Sequence, residues 1–270
     1  MFFITSDQNK IHYLDEGPRE ANVTMVFVPG WGYCAEVFAK QIEYFSKCYR
    51  VLVMEPRGHG QSQRGDVDVS HEQQTKDLLE LLAKEKIEKA VFVGWSYGAY
   101  PVFGIVRETG LKYVQKMVII DQPPKCTGNK EDGWVEYHPE NIERALSGLG
   151  TEEGYRTGVE NFTRRAAFLG EPDEEEIRRV CNMADMDHHQ AVKEFLSGAQ
   201  CDFTEEAKQL DQDGRLEFFV REQWAEQARA HLTTICPNAK THILGGHMMF
   251  YEFPERFNRI LEESIRPILK

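Results

Sequence analysis

Residues 90–98 read Ala90-Val91-Phe92-Val93-Gly94-Trp95-Ser96-Tyr97-Gly98. A β-branched and aromatic run enters the turn, and Tyr97–Glu108, which is compatible with a helix, leaves it. The pattern Gly-x-Ser-x-Gly is weak alone and specific between a buried strand and a helix. A serine on so sharp a turn is held in a strained conformation. Gly94 and Gly98 remove side chains that would collide across it. The Ser96 hydroxyl then stands at the sheet edge, at a helix N-terminus that favours negative charge.

Outward from this turn the first half alternates. Lys10–Leu14, Val23–Val28, Tyr49–Met54, Ala90–Trp95 and Tyr113–Ile120 read as strands. Ala35–Phe45, His71–Lys84 and Tyr97–Glu108 read as the helices between them. Repeated strand–helix–strand units predict a parallel sheet covered on both faces. After Asp121 the pattern breaks at Pro123-Pro124, and residues 133–209 read as charged helices without a strand. The expected organisation is a core of residues 1–122 and 211–270 with a helical insertion at 123–210, of a size to form a lid. The sheet resumes with Leu216–Val220 and Lys240–Leu244, joined by a helix over Gln223–Leu232, and a helix over Phe253–Ile268 closes the chain, with Pro254 in its first turn.

The 270 residues are 41% hydrophobic, enough for a real core, and carry a formal charge of −12. Residues 123–210 hold 19 Asp and Glu against 10 Lys and Arg, so the insertion carries most of that charge. So acidic a chain, with no basic stripe, excludes nucleic acid as a partner. The expected partner is a small-molecule substrate, with the state open between monomer and homodimer. No apolar run approaches a membrane span, and Met1-Phe2-Phe3-Ile4 lacks the basic start of a secretory signal. Six scattered cysteines without a C-x-x-C pair read as reduced thiols, so a cytoplasmic enzyme is expected. No metal or cofactor is expected. His188-His189 lacks a third ligand at suitable spacing and reads as a surface pair.

A serine hydroxyl needs a base. His247, in Gly245-Gly246-His247 between the last strand and the last helix, is the candidate, and His59 reads as a turn histidine. The base needs an orienting carboxylate. Asp121, which ends the apolar run Met117–Ile120, is favoured, and Glu222 and Glu226 are the alternatives. Two backbone N–H groups would bind an oxyanion, one from Tyr97 and one from Trp31 in Pro29-Gly30-Trp31-Gly32. Gly30, Tyr33, Trp95 and Met248 flank these motifs and are the expected pocket wall.

These motifs resemble the α/β-hydrolase superfamily over nearly the whole chain. Gly94–Gly98 resembles its nucleophile elbow, and Pro29-Gly30-Trp31 its His-Gly oxyanion loop with proline in place of histidine. Arg57-Gly58-His59-Gly60-Gln61-Ser62 is similar to its Arg-Gly-x-Gly-x-Ser turn, and Gly246-His247 with Glu252-x-Pro254 to its ending. The resemblance implies an eight-stranded, mostly parallel sheet with a helical cap after the sixth strand. Most relatives place the acid after the seventh strand, where this chain has no aspartate; Asp121 follows the sixth. Asp121-Gln122-Pro123-Pro124-Lys125 resembles a segment of bacterial esterases and cofactor-free haloperoxidase-like hydrolases.

The resemblance implies a serine hydrolase cleaving a small-to-medium, apolar or aromatic carboxylic ester or lactone through an acyl-enzyme. Two other readings stay open. The loop Pro29–Trp31 with an acid after the sixth strand also resembles cofactor-free dioxygenases of 3-hydroxy-4-quinolones, in which His247 and Asp121 would act as a base dyad. A ligand-binding receptor on the same scaffold is the third.

Overall fold

Arg50–Met54, Ala90–Trp95 and Leu216–Val220 present mainly apolar side chains on both faces, and every residue of these runs is buried. Strands of this kind are stable only inside a covered sheet. A computed structural model, which describes residues 1–269, places them in one sheet of eight strands. The strands are β1 (Phe2–Ile4), β2 (Lys10–Glu16), β3 (Thr24–Val28), β4 (Arg50–Met54), β5 (Ala90–Trp95), β6 (Val114–Ile120), β7 (Leu216–Val220) and β8 (Lys240–Ile243). Their order is β1-β2-β4-β3-β5-β6-β7-β8. The pairs β1–β2 and β2–β4 are antiparallel, and the others are parallel.

The register decides where the site lies. Val28 stands opposite Gly94, Trp95 opposite Ile120, Ile120 opposite Phe219, and Val220 opposite Ile243. Pro29, Ser96, Asp121, Arg221 and Leu244 therefore leave the sheet along one edge. From β3 the chain steps to β4 on one side and then to β5 on the other. The loops after β3 and β5 diverge at this switch point and open the crevice that parallel sheets use for ligands.

The core helices are α1 (Ala39–Phe45, preceded by a 3₁₀ turn), α2 (His71–Lys84) and α3 (Ala99–Thr109). Between β6 and β7 run α4 (Pro139–Leu149), α5 (Glu152–Phe162, continued by a π-turn over Thr163–Ala167), α6 (Glu174–Asn182), α7 (His188–Ala199) and α8 (Thr204–Gln212). The last three helices are α9 (Ala225–Ile235), α10 (Met249–Glu252) and α11 (Pro254–Ile265). The helices form two groups, α1 with α11, and α2 with α3 and α8. Because α8 packs on α3 and β7, it belongs to the sheet's own covering layer. Ser70, Thr151, Asp173 and Asp187 cap α2, α5, α6 and α7 through their side chains. None of the described helices is long and apolar enough to cross a membrane.

The helix read over Gln223–Leu232 runs over Ala225–Ile235, and further elements differ from the sequence expectation. β1 is absent from it, because a three-residue strand with only Phe3 buried carries no readable alternation. The closing α-helix stops at Ile265 rather than Ile268.

The turn after β4 is braced by a buried ion pair. Arg57 is fully buried and donates to Asp77 from Nε and Nη2, both at 2.6 Å, and to Asp7 at 2.6 and 2.7 Å. Its carbonyl accepts from His59 Nδ1 at 2.9 Å, and His59 Nε2 accepts the Gly32 N–H at 3.0 Å. The brace thus reaches the loop after β3. Arg57→Leu strands the Asp77 carboxylate in the interior with Gln73 as its remaining partner. The expected cost is about 3–5 kcal/mol, because an unpaired buried charge is left behind. Thermal unfolding should show Tm lowered by about 6 °C or more. The double variant Arg57→Leu/Asp77→Leu should recover part of it. A fall under about 2 °C in the single variant contradicts the brace.

Candidate active site

Ser96 has φ +51, and its elbow is crowded as the sequence requires. A Cβ on Gly98 would lie 2.3 Å from the Val28 carbonyl oxygen, and one on Gly94 would lie 2.6 Å from Ala99 Cα. Both contacts are with backbone, so neither can relax cheaply. The left-handed conformation costs a non-glycine residue about 1–3 kcal/mol and turns the hydroxyl out of the sheet.

Asp121, at the end of β6, repeats the device with φ +52, which aspartate tolerates better than most residues. It is fully buried. Oδ1 accepts the Arg221 backbone N–H at 2.8 Å, and Oδ2 accepts from His247 Nδ1 at 2.5 Å. His247 is held by its own backbone. Its N–H donates to Ala166 O at 2.8 Å, and its carbonyl accepts from Trp95 Nε1 at 2.9 Å. Glu222 and Glu226 are exposed and do not contact His247, so Asp121 is the carboxylate that meets it. Ser96 and His247 face one cavity, and no direct hydrogen bond joins them.

Arg221 was not anticipated from the sequence. It follows β7 directly. Its Nη1 lies 3.4 Å from Asp121 Oδ2 and 3.2 Å from His247 Nδ1, and the guanidinium stacks on Trp224 at 3.3 Å. Nδ1 donates its proton to Asp121, so Arg221 is a neighbouring cation rather than a second donor to it. Burial lowers the His247 pKa, Asp121 opposes the fall, and Arg221 adds to it.

The loop after β3 brings Trp31 beside the elbow. A Cβ on Gly30 would lie 2.9 Å from Ser96 Cβ, so the two loops touch. The Gly32 N–H is taken by His59, and the Tyr33 N–H by the Gly30 carbonyl. The N–H groups of Trp31 and Tyr97 make no such bond to a loop or side chain and stay open beside Ser96. The Trp31 indole Nε1 donates to Ala191 O in α7 at 2.9 Å.

A cavity of about 210 Å³ contains Ser96, Tyr97 and His247. Tyr33 and Trp95, two of the residues expected at the wall, line it, and so does Trp31. Gly30 and Met248 do not, and this corrects the expected wall. Gly30 is spent on contact with Ser96. Met248 is fully buried, and its N–H donates to Ala167 O at 2.8 Å where α10 begins. The rest of the wall comes from the insertion, including Glu136, Tyr137, Leu149, Phe162 and Phe195, which local pattern could not mark. A wider groove of about 530 Å³ beside Lys40, Glu176 and Arg179 is lined with charge and holds neither Ser96 nor His247. His188 and His189 stack at 3.9 Å at the start of α7, and no described cluster of three or more His, Cys, Asp or Glu is arranged to hold a metal ion.

A model of the alpha/beta hydrolase family matches residues 25–260. The chain is 27% identical over 168 residues to a pimeloyl-[acyl-carrier protein] methyl ester esterase of Vibrio atlanticus (strain LGP32), covering 62% of this chain and 60% of that one. It is 31% identical over 121 residues to a non-heme chloroperoxidase of Streptomyces lividans, covering 44% of each. The chain thus spans about half the length of these relatives. Among solved structures, an esterase from Exiguobacterium antarcticum superposes with a TM-score of 0.85 at 17% identity, covering 98% of this chain and 99% of that one. A bromoperoxidase from Bacillus anthracis superposes at 0.84 and 17%, covering 98% and 100%. At that identity the likeness is one of fold.

His247 should titrate below the ordinary histidine range in the folded protein, and Arg221→Met should move it upward by removing a cation that disfavours the imidazolium. Histidine Cε1–H NMR across pH reads both directly. An unchanged or lower His247 pKa in Arg221→Met contradicts the electrostatic role.

Proposed function

The chain belongs to the alpha/beta hydrolase family, and on that footing we propose that it is a serine hydrolase of a small-to-medium, apolar or aromatic carboxylic ester or lactone. One observation carries the reading. A strained serine and a histidine held by the buried Asp121 face the same aromatic cavity.

In this mechanism Ser96 Oγ attacks the ester carbonyl while His247 Nε2 takes its proton. Asp121 holds the tautomer with Nδ1 protonated and stabilises the imidazolium as it forms. The N–H groups of Trp31 and Tyr97 receive the charge on the carbonyl oxygen. The tetrahedral adduct collapses, His247 gives the proton to the leaving alkoxide, and the acyl group stays on Ser96. Water, deprotonated by His247, attacks the acyl-enzyme; Ser96 departs with the proton and the acid is released. The lowered His247 pKa keeps the base neutral at mildly acidic pH, so activity persists below pH 6.5 and falls as His247 protonates. Helices α4–α7 act as the cap. The cavity is smaller than the roughly 300–1,000 Å³ of typical ligand pockets, which favours a compact substrate.

A fluorophosphonate probe should label the wild type at Ser96. Ser96→Ala should lose labelling and lower ester turnover by at least about 10³-fold. Asp121→Asn should lower kcat by about 10⁴-fold. A Ser96→Ala variant that keeps most turnover while His247→Ala loses it fits a base dyad acting on a quinolone-type substrate. Neither labelling nor turnover, with saturable binding, fits a receptor.

A further inference from the structure

The cavity wall is aromatic and aliphatic almost throughout, and a single carboxyl group, that of Glu136, interrupts it. Its Oε2 is buried and accepts no hydrogen bond. The cation it senses is Arg221, which is already engaged by Asp121 and stacked on Trp224. Burial pushes the Glu136 carboxyl up to about 7, with Arg221 offsetting the rise only in part.

The position of Glu136 is fixed. Its N–H donates to Cys126 O at 2.9 Å, that of Tyr137 to the same oxygen at 3.0 Å, and Thr127 bridges to Tyr137. A buried polar atom without a partner is destabilising, and more so when it is charged. Glu136 lines the same cavity as Ser96. No described protein group donates to this carboxyl, so a ligand bound in the cavity can.

On the serine-hydrolase reading given above, we propose that Glu136 is a specificity-determining residue. It accepts a hydrogen bond from an O–H or N–H donor carried on the aromatic body of the ester, and it selects against esters that bear a second, anionic carboxylate. The apolar wall supplies affinity for the ring, and Glu136 supplies the demand for a donor. A site built around one unpaired acceptor disfavours the analogue that leaves it unpaired. It disfavours an anion further, because two carboxylates would share one desolvated space.

The test uses methyl phenylacetate, its 3- and 4-hydroxy derivatives and its 4-carboxy derivative. For the wild type, kcat/KM for the better hydroxy isomer should exceed the parent by about 5- to 10-fold, and the carboxy derivative should fall at least as far below it. The penalty against the carboxy derivative should grow from pH 6 to pH 8 as Glu136 ionises. Glu136→Leu should bring both ratios to within about 2-fold of unity. Glu136→Gln, nearly isosteric, should keep the hydroxyl preference through its amide oxygen and lose the pH-dependent exclusion. The same esters titrated into Ser96→Ala protein, read by tryptophan fluorescence, give the ratios as Kd without turnover. Binding ratios that depend on Glu136 in a protein that never turns over an ester sustain the assignment and sink the hydrolase. Ester turnover with ratios unchanged in both Glu136 variants sustains the hydrolase and overturns the assignment.

Discussion

Two loops from neighbouring strands meet at Ser96 with no room between them. Gly98 lies under the carbonyls of Val28 and Pro29, and Gly30 lies against the Ser96 side chain. This contact sets the distance between the Ser96 hydroxyl and the Trp31 N–H, since both sit within one residue of it. It exists because β3 and β5 pair in parallel and end together, Val28 opposite Gly94. A register slip of one residue would reverse the faces of β5 and carry the serine away from the loop. The sheet register is thus the first determinant of the site, and the strain at Ser96 is the local cost of using it.

Along the same edge the charges are arranged with equal economy. Asp121 leaves β6 in the same left-handed conformation as Ser96, so one backbone device aims two side chains from adjacent strands. A fully buried carboxylate must be paid in hydrogen bonds, and Asp121 receives them from His247 and from the Arg221 backbone. The Arg221 guanidinium then sets a cation beside this pair, where it disfavours the imidazolium of His247.

Local chemistry was legible in the sequence, and assembly over distance was not. The strand, turn and helix around Ser96 declare themselves within a score of residues, and α2 begins at His71 as read because Ser70 caps it. The acid could be narrowed only to Asp121, Glu222 and Glu226, since the choice depends on which side chain reaches His247 across 126 residues. Arg221 carries no motif and is recognisable only by its contacts. Met248 looked like a wall residue from its place beside His247, but the turn into α10 points it at the core. Glu136 lies in an irregular stretch between β6 and α4, where no period exists to say which side chains turn inward.

That stretch and α7 together explain why the insertion and the core form one site. Trp31 places its N–H beside Ser96 and donates its indole N–H to Ala191 in α7. Gln74 in α2 donates to Glu194, and His71 meets Ser197, both on the same helix. His59 supports the loop at Gly32 and lies 3.3 Å from Glu194. The loop after β3 therefore has one support in the sheet layer and one in the insertion. Phe195 of the cavity wall and the anchor of the Trp31 indole both lie on α7. A change in how α7 seats on the core would be felt at the Trp31 N–H as directly as at the cavity wall, so the shape of the pocket and the geometry of the reaction cannot vary independently.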